Sequence, residues 1–145
     1  MVETAEAFIF GEDELISILA NLSALIKVYV GDLNWAGFYL LKGKELVLGP
    51  FQGLPACVRI GEGKGVCGKA VLEGKTIVVD DVHQFPGHIA CDSASASELV
   101  LPFFKNGNVF GVLDLDSPLP GRFKVPEIKY LGEIASLLTD FLQRI

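Results

Sequence analysis

The sequence predicts an α+β fold, in which the first and last helices pack on one face of a central antiparallel β-sheet. Apolar residues recur at helical spacing near both ends of the chain. Between these ends lie short runs of β-forming residues, separated by turn residues. Strands that follow one another through hairpins favour antiparallel pairing, and the two amphipathic helices would then cover one face of the sheet.

Both end helices have clear sequence signals. The segment from Gly11 to Val30 places leucine and isoleucine side chains along one side, and the acidic run Glu12-Asp13-Glu14 suits the positive end of a helix dipole. A second helix is predicted to begin near Pro126, because proline is favoured in the first helical turn. Its apolar stripe continues to Ile145.

Two hairpins are predicted between the helices. The strands 34–41 and 45–48 flank the turn Lys42-Gly43-Lys44, and the strands 98–104 and 109–116 flank a turn that contains Asn106-Gly107. Asn-Gly is a strong signal for a two-residue hairpin turn. The remaining predicted elements are a strand at 57–60, a short helix at 65–72 that follows a glycine-rich turn, and a strand at 76–79.

The segment from Asp80 to Ser97 has eighteen residues and no clear periodicity. Loops of this length are uncommon in compact domains and are usually functional. This segment contains both histidines and one of the three cysteines. We therefore expect it to contribute to a functional site.

The composition narrows the classes of partner. A chain of 145 residues, half of them hydrophobic, suits a single domain spanning 1–145. The net charge of -6, without any Lys/Arg run, argues against nucleic acid and against anionic membranes. No apolar stretch approaches the roughly 18–20 residues that a membrane span needs, and the acidic N-terminus is unlike a signal peptide. We expect a cytoplasmic protein.

Three cysteines in a reducing compartment argue against a disulfide framework. Structural zinc sites usually have close cysteine pairs, whereas these cysteines are ten and twenty-four residues apart. We therefore expect no metal and no cofactor. A zinc site assembled by folding remains an alternative for Cys57, Cys67, Cys91, His83 and His88.

Two strand patterns could belong to a site. In the strand 109–116, alternation places Phe110, Val112, Asp114 and Asp116 on one face, and buried carboxylates need partners. The alternative is that this strand simply emerges into solvent at its end.

In the strand 34–41, Trp35, Gly37 and Tyr39 share a face, so the glycine could leave room for a ligand between two aromatic walls. An ordinary aromatic core strand is the alternative interpretation.

Cys91 is the cysteine best placed for chemistry. Small polar residues follow it, and His88 could support a thiolate. Asp92 and Glu98 oppose a thiolate unless they face elsewhere or bind the substrate.

Five sequence blocks resemble one enzyme family. They are NWAGFYL at 34–40, LGPFQGLPACVRI at 48–60, GKGVCG at 63–68, DVHQFPGHIACDSAS at 81–95 and GVLDLDSP at 111–118. In order and spacing they resemble the free methionine-(R)-sulfoxide reductases, which are stand-alone enzymes of the GAF fold. The resemblance implies a GAF-like α+β fold and the reduction of free L-methionine (R)-S-oxide to L-methionine.

The resemblance also implies roles for individual residues. Cys91 matches the catalytic cysteine, and Cys57 and Cys67 match resolving or recycling thiols. The implied pocket has Trp35 and Tyr39 as its aromatic wall, and Glu98, Asp114 and Asp116 on its polar side.

The implied reaction begins when the Cys91 thiolate attacks the sulfoxide sulfur. One of the crowded carboxyls, which the sequence does not single out, supplies a proton. A sulfenic acid then forms, condenses to an intramolecular disulfide and is regenerated by thioredoxin.

The carboxylates would pair with the α-ammonium of the free amino acid, and backbone N–H groups of the 80–97 loop would hold its α-carboxylate. The resemblance also suggests a homodimer. The main alternative is a non-catalytic GAF domain that senses a small molecule, since one fold serves many functions. A redox-sensing or zinc-binding interaction protein is a further alternative.

Overall fold

The computed structural model describes residues 1–89 and 93–145. The described part forms α1 (Val2–Ile9), α2 (Leu15–Tyr29), β1 (Trp35–Lys42), β2 (Glu45–Gly53), β3 (Arg59–Gly61), α3 (Gly65–Glu73), β4 (Ile77–Val79), a 3-10 turn (Val82–Gln84), β5 (Ser97–Lys105), β6 (Asn108–Ser117) and α4 (Val125–Arg144).

The strands form one six-stranded sheet in the order β3-β2-β1-β6-β5-β4. Every strand pair in the described ranges is antiparallel. Helices α1, α2 and α4 pack on one face, and α3 packs on the other. The predicted fold class is therefore confirmed. Among the described residues, no helix is long and apolar enough to cross a membrane.

The face covered by three helices forms the larger core. Leu19 and Leu22 of α2 and Leu138 of α4 are fully buried against Phe38 of β1 and Leu113 of β6. Burying side chains of this size stabilises a fold by about 1.5–3 kcal/mol each. This face therefore contributes much of the folding free energy, which offsets the destabilising effect of a polar site on the opposite face.

The N-terminal helical region differs from the sequence prediction. The predicted helix begins at Leu15 instead of Gly11, because Gly11 has a φ of 73° and the Glu12 side chain accepts hydrogen bonds from the backbone N–H groups of Asp13 and Glu14. The unpredicted helix α1 precedes this turn and buries Ala5 in the larger core.

The β5–β6 hairpin has the predicted turn, but β6 contains a bulge. Asn106 and Gly107 both have positive φ, as a type I′ turn requires. Phe103 pairs with Gly111 and Phe104 with Val109, so Phe110 is the extra residue on β6. Phe110 therefore packs on the helical core, and its predicted face was wrong.

Beyond the bulge, the predicted alternation holds. Val112 and Asp114 lie on the face covered by α3, and Leu113 and Leu115 lie in the helical core. The acidic residues of β6 therefore face the smaller core.

Gly37 does not leave room for a ligand, contrary to the sequence interpretation. A Cβ at this position would contact Phe51 and would lie 2.8 Å from the Trp35 ring. Phe51 stacks on Trp35 with ring centroids 5.2 Å apart, and Trp35 stacks on Tyr39 at 5.9 Å. The glycine therefore lets β2 approach β1 and completes an aromatic stack.

Gly37→Ala should lower the free energy of unfolding by about 1–3 kcal/mol, the usual cost of overpacking. Gly132→Ala is the matched control, because a Cβ at this position of α4 meets nothing within 4 Å. The control should gain about 0.5–1 kcal/mol from helix propensity. Urea denaturation measures both values, and a Gly37→Ala protein as stable as the control would contradict this packing.

Candidate active site

One pocket opens on the face of the sheet that α3 covers. It brings together six of the residues to which the family resemblance gives a role. The six are Trp35, Tyr39, Cys67, Glu98, Asp114 and Asp116. His88, Ser95, and Lys64, Gly65 and Val66 at the start of α3 also line the pocket. Cys91 and Asp92 lie outside the described residues.

The strand register explains why the aromatic and acidic residues meet. Trp35 of β1 pairs with Asp116 of β6, and Gly37 pairs with Asp114. Glu98 of β5 pairs with Asp116 from the other side of β6. Residues that are directly opposite in an antiparallel pair project to the same face of the sheet. Three neighbouring strands therefore place the aromatic wall next to the acidic cluster. The wall is Trp35 and Tyr39, and the cluster is Glu98, Asp114 and Asp116.

The aromatic wall also holds the loop between β2 and β3. The Trp35 indole N–H donates to the Leu54 carbonyl at 3.2 Å, and the Tyr39 hydroxyl donates to the Cys57 carbonyl at 2.8 Å. Burial raises the pKa of Tyr39, with a smaller effect from the negative charge of Asp114, so the hydroxyl keeps its proton. The wall thereby fixes the backbone of Cys57 beside the pocket.

Glu98, Asp114 and Cys67 form the buried centre of the site. Each side chain offers an oxygen or sulfur atom that lies within 4.8 Å of the other two. Glu98 and Asp114 are both 6% exposed and Cys67 is 4% exposed. Oδ1 of Asp114 has no hydrogen-bond partner among the described residues. A buried acceptor without a partner is costly, and a hydrogen bond from a bound molecule would remove that cost.

Burial decides the protonation of the two carboxyl groups. It is the largest cause that raises the pKa of Glu98 to about 8, and the charge of Asp116 adds to it. The pKa of Asp114 is also raised, first by burial and then by Glu98. The pair therefore retains a proton at neutral pH, as carboxyls crowded together in a dry site do.

His88 lies beside Glu98 with Nε2 3.5 Å from Oε1. Burial lowers the pKa of His88, so the imidazole is neutral at pH 7 and the contact is a pair of uncharged groups. The sequence analysis expected His88 to support a thiolate at Cys91, and that role stays a prediction. In the described part of the chain, the ring faces the carboxyl cluster.

The cysteines that the structure describes differ in state. Cys57 is disulfide-bonded and half-buried, whereas Cys67 is a buried free thiol. Of the four residues considered for zinc that the structure describes, only Cys67 belongs to the close group with Glu98 and Asp114. Metal ligands must lose their protons, and the raised pKa values oppose that loss. The group is therefore better suited to holding protons than to holding a cation.

The sequence analysis missed the start of α3 as part of the site. Lys64, Gly65 and Val66 line the pocket, and the N-terminus of a helix carries a partial positive charge. Gly65 has a φ of 63°, and a Cβ at Gly68 would lie 2.7 Å from the Gly61 carbonyl oxygen. These two glycines let the chain turn and bring α3 close to β3. The Gly-Lys-Gly sequence before the helix was the available signal.

The fold and the site define a GAF-type domain with a buried acidic pocket. A GAF domain family model matches residues 15–143. The free methionine-R-sulfoxide reductase of Escherichia coli is 49% identical over 136 residues, which cover 94% of this chain and 82% of that protein.

Two solved structures are similar over nearly the whole chain. The reduced form of fRMsr from Staphylococcus aureus is 50% identical with a TM-score of 0.94, covering 97% of this chain and 92% of that one. The free methionine-R-sulfoxide reductase of Neisseria meningitidis, solved in complex with its substrate, is 44% identical with a TM-score of 0.94, covering 99% and 87%. The chain therefore belongs to the free methionine-R-sulfoxide reductases, a family of oxidoreductases within the GAF fold. The resemblance noted from the sequence is confirmed.

Glu98→Gln should stabilise the protein at neutral pH. Between about pH 4.5 and 8 the folded protein keeps a proton on Glu98 that the unfolded chain has lost, so stability falls as pH rises through this window. Glutamine has no proton to lose, and at about 1.4 kcal/mol per pKa unit the variant should gain about 3 kcal/mol at pH 7.

Urea denaturation at pH 4 and pH 7 tests this effect, with Glu133→Gln on the exposed face of α4 as the control. The gain of Glu98→Gln should shrink at pH 4, and the control should change little at either pH. An equal effect of both substitutions at pH 7 would contradict the raised pKa of Glu98.

Proposed function

We propose that this protein reduces free L-methionine (R)-S-oxide to L-methionine. The observation that carries the proposal is the proton-retaining pair of Glu98 and Asp114 beside the stacked rings of Trp35 and Tyr39. Removing a sulfoxide oxygen requires an acid, and a methyl thioether suits an aromatic wall. Relatives at 42–50% identity that bear the reductase name support the same activity.

The pocket suits a free amino acid better than a peptide. Asp116 provides a carboxylate for the α-ammonium group, which a peptide nitrogen lacks. Lys64 and the N-terminus of α3 provide positive charge for the α-carboxylate. The backbone N–H groups of the 80–97 loop, which the sequence analysis proposed for this carboxylate, can contribute as well. The R configuration is taken from the named relatives.

In the proposed first half of the reaction, the Cys91 thiolate attacks the sulfoxide sulfur while the acid pair protonates the oxygen. The hydroxyl group then passes to the cysteine sulfur as the bond between sulfur and oxygen in the substrate breaks. Methionine leaves, and Cys91 becomes a sulfenic acid. Glu98 is the proposed proton donor, because burial raises its pKa to about 8, so that it holds a proton at neutral pH.

Cys57 is the proposed resolving thiol. Its thiolate attacks the sulfur of the Cys91 sulfenic acid, the bond from that sulfur to oxygen breaks, and the hydroxyl group takes a proton from solvent and leaves as water, which forms the disulfide. Two observations support Cys57: it is disulfide-bonded, and Tyr39 holds its backbone beside the pocket. Thioredoxin would restore the two thiols by thiol–disulfide exchange in the cytoplasm. We also propose that the protein is a homodimer.

A thioredoxin-coupled NADPH oxidation assay tests the activity on the separate free R and S sulfoxides and on the N-acetylated R form. Only the free R form should be turned over, and Cys91→Ser should abolish turnover. No turnover of any free form, with thioredoxin shown to be competent on another substrate, would overturn the proposal and favour a non-catalytic sensor. Turnover of the N-acetylated form at the same rate would overturn the role given to the α-ammonium group.

The rate of methionine release should depend on the proton of Glu98. In single-turnover measurements of the reduced enzyme, the rate should fall as pH rises through about 8, because the donor ionises. Glu98→Gln should be about 10²–10⁴-fold slower and should lose this decline. A Glu98→Gln enzyme with the same alkaline decline would exclude Glu98 as the donor.

A further inference from the structure

Cys67 is a deeply enclosed thiol in the described part of the site. It is the third residue of α3, is 4% exposed and is a free thiol. Its sulfur lies within 4.8 Å of oxygens of Glu98 and Asp114. At this separation the thiol is placed to donate to the Asp114 carboxyl, an interaction that raises the pKa of the thiol and lowers that of the carboxyl.

These surroundings disfavour a redox role. A resolving cysteine must form a thiolate to attack a sulfenic acid. The partial positive charge at the start of α3 favours the thiolate weakly. Burial and the negative charges of Asp114, Glu98 and Asp116 oppose it, and together they raise the pKa of the thiol well above its usual value. The neutral thiol is therefore the form present at pH 7.

A neutral thiol has a proton to donate, and Asp114 accepts it. This hydrogen bond favours the ionised form of Asp114 and so acts against burial and the neighbouring Glu98. Oδ1 of Asp114 is buried and has no partner in the described ranges, and Asp114 is one of the residues that line the pocket. A bound molecule that donates to this oxygen would satisfy it.

We propose that Cys67 is a positioning residue, whose S–H group donates to the Asp114 carboxyl, fixes its orientation beside Glu98 and eases release of the proton that the acid pair shares. The inference deepens the proposed function, on which it rests, and it separates Cys67 from the cysteines that change oxidation state. It predicts that a hydroxyl can replace the thiol, which a redox role does not allow.

Cys67→Ser and Cys67→Ala distinguish a positioning role of Cys67 from a redox role. Val71→Ala is the control for altered packing in α3. Val71 is buried in the same helix but does not line the pocket. With thioredoxin and NADPH, Cys67→Ser should sustain repeated turnover, whereas Cys57→Ser should stop after one methionine is released. Cys67→Ala should slow single-turnover methionine release by about tenfold, the cost of one hydrogen bond to a charged group, with little change in KM.

The pH profile provides the readout that altered packing alone would not change. Without the thiol hydrogen bond the acid pair should hold its proton more tightly, so the alkaline decline of Cys67→Ala should move to higher pH. The decline should return to the wild-type position in Cys67→Ser and stay there in Val71→Ala. Arrest of Cys67→Ser after one turnover, or an unshifted decline in Cys67→Ala, would overturn the positioning role.

A measurement without turnover separates this inference from the activity itself. The pH dependence of unfolding reports the same acid pair in wild type, Cys67→Ala and Cys67→Ser. If wild type were inactive on every sulfoxide, the proposed function would fail. An upward shift of the titration in Cys67→Ala, restored in Cys67→Ser, would still support the hydrogen bond to Asp114, and no shift would overturn it.

Discussion

The burial of two carboxyl groups against each other is the constraint on which the rest of the site depends. Glu98 and Asp114 lie on adjacent strands, point to the same face and are almost fully enclosed. Neither has a cationic side chain within the described cluster, since His88 is held neutral by burial. The arrangement is tolerated because the pair keeps a proton, and this proton is what a reductase of sulfoxides needs.

One face of the sheet provides most of the stability, and the other face carries the candidate active site. Three helices cover one face with leucine, isoleucine and phenylalanine side chains, and the buried acids among the described residues, Glu98 and Asp114, lie in the pocket on the other face. The opposite face carries the pocket, whose protonated carboxyls make the folded state less stable as pH rises. A site that is destabilised for its function and supported by a well-packed core elsewhere is a common trade-off in enzymes.

The second role of the aromatic wall is mechanical. Trp35 and Tyr39 stack beside the pocket, and their polar tips hold the loop that carries Cys57. The β1 strand therefore connects the substrate wall to the proposed resolving thiol, and Gly37 permits the close approach of Phe51 on which the stack depends.

Local pattern was enough to predict the helices α2 and α4, both hairpins and the face of Asp114 and Asp116. Periodicity and turn residues report these features directly. The bulge at Phe110 depends on how β6 pairs with Phe103 and Phe104 of β5. The crowding at Gly37 depends on Phe51 of β2. Neither feature can therefore be predicted from the pattern of a single strand.

The surroundings of Cys67 likewise arise only when α3 packs over β5 and β6. The family resemblance implied that Cys67, like Cys57, is a resolving or recycling thiol. The roles of Cys91 stay predictions, since it lies outside the described residues.

The most direct test of this account is a ¹³C NMR titration of the carboxyl carbon of Glu98, assigned by comparison with Glu98→Gln. The account predicts that this carbon titrates with a midpoint near pH 8, because burial and Asp116 hold the proton on it. A midpoint near the ordinary value of about 4.3 would contradict the account, because Glu98 would then be ionised at neutral pH and would have no proton to give.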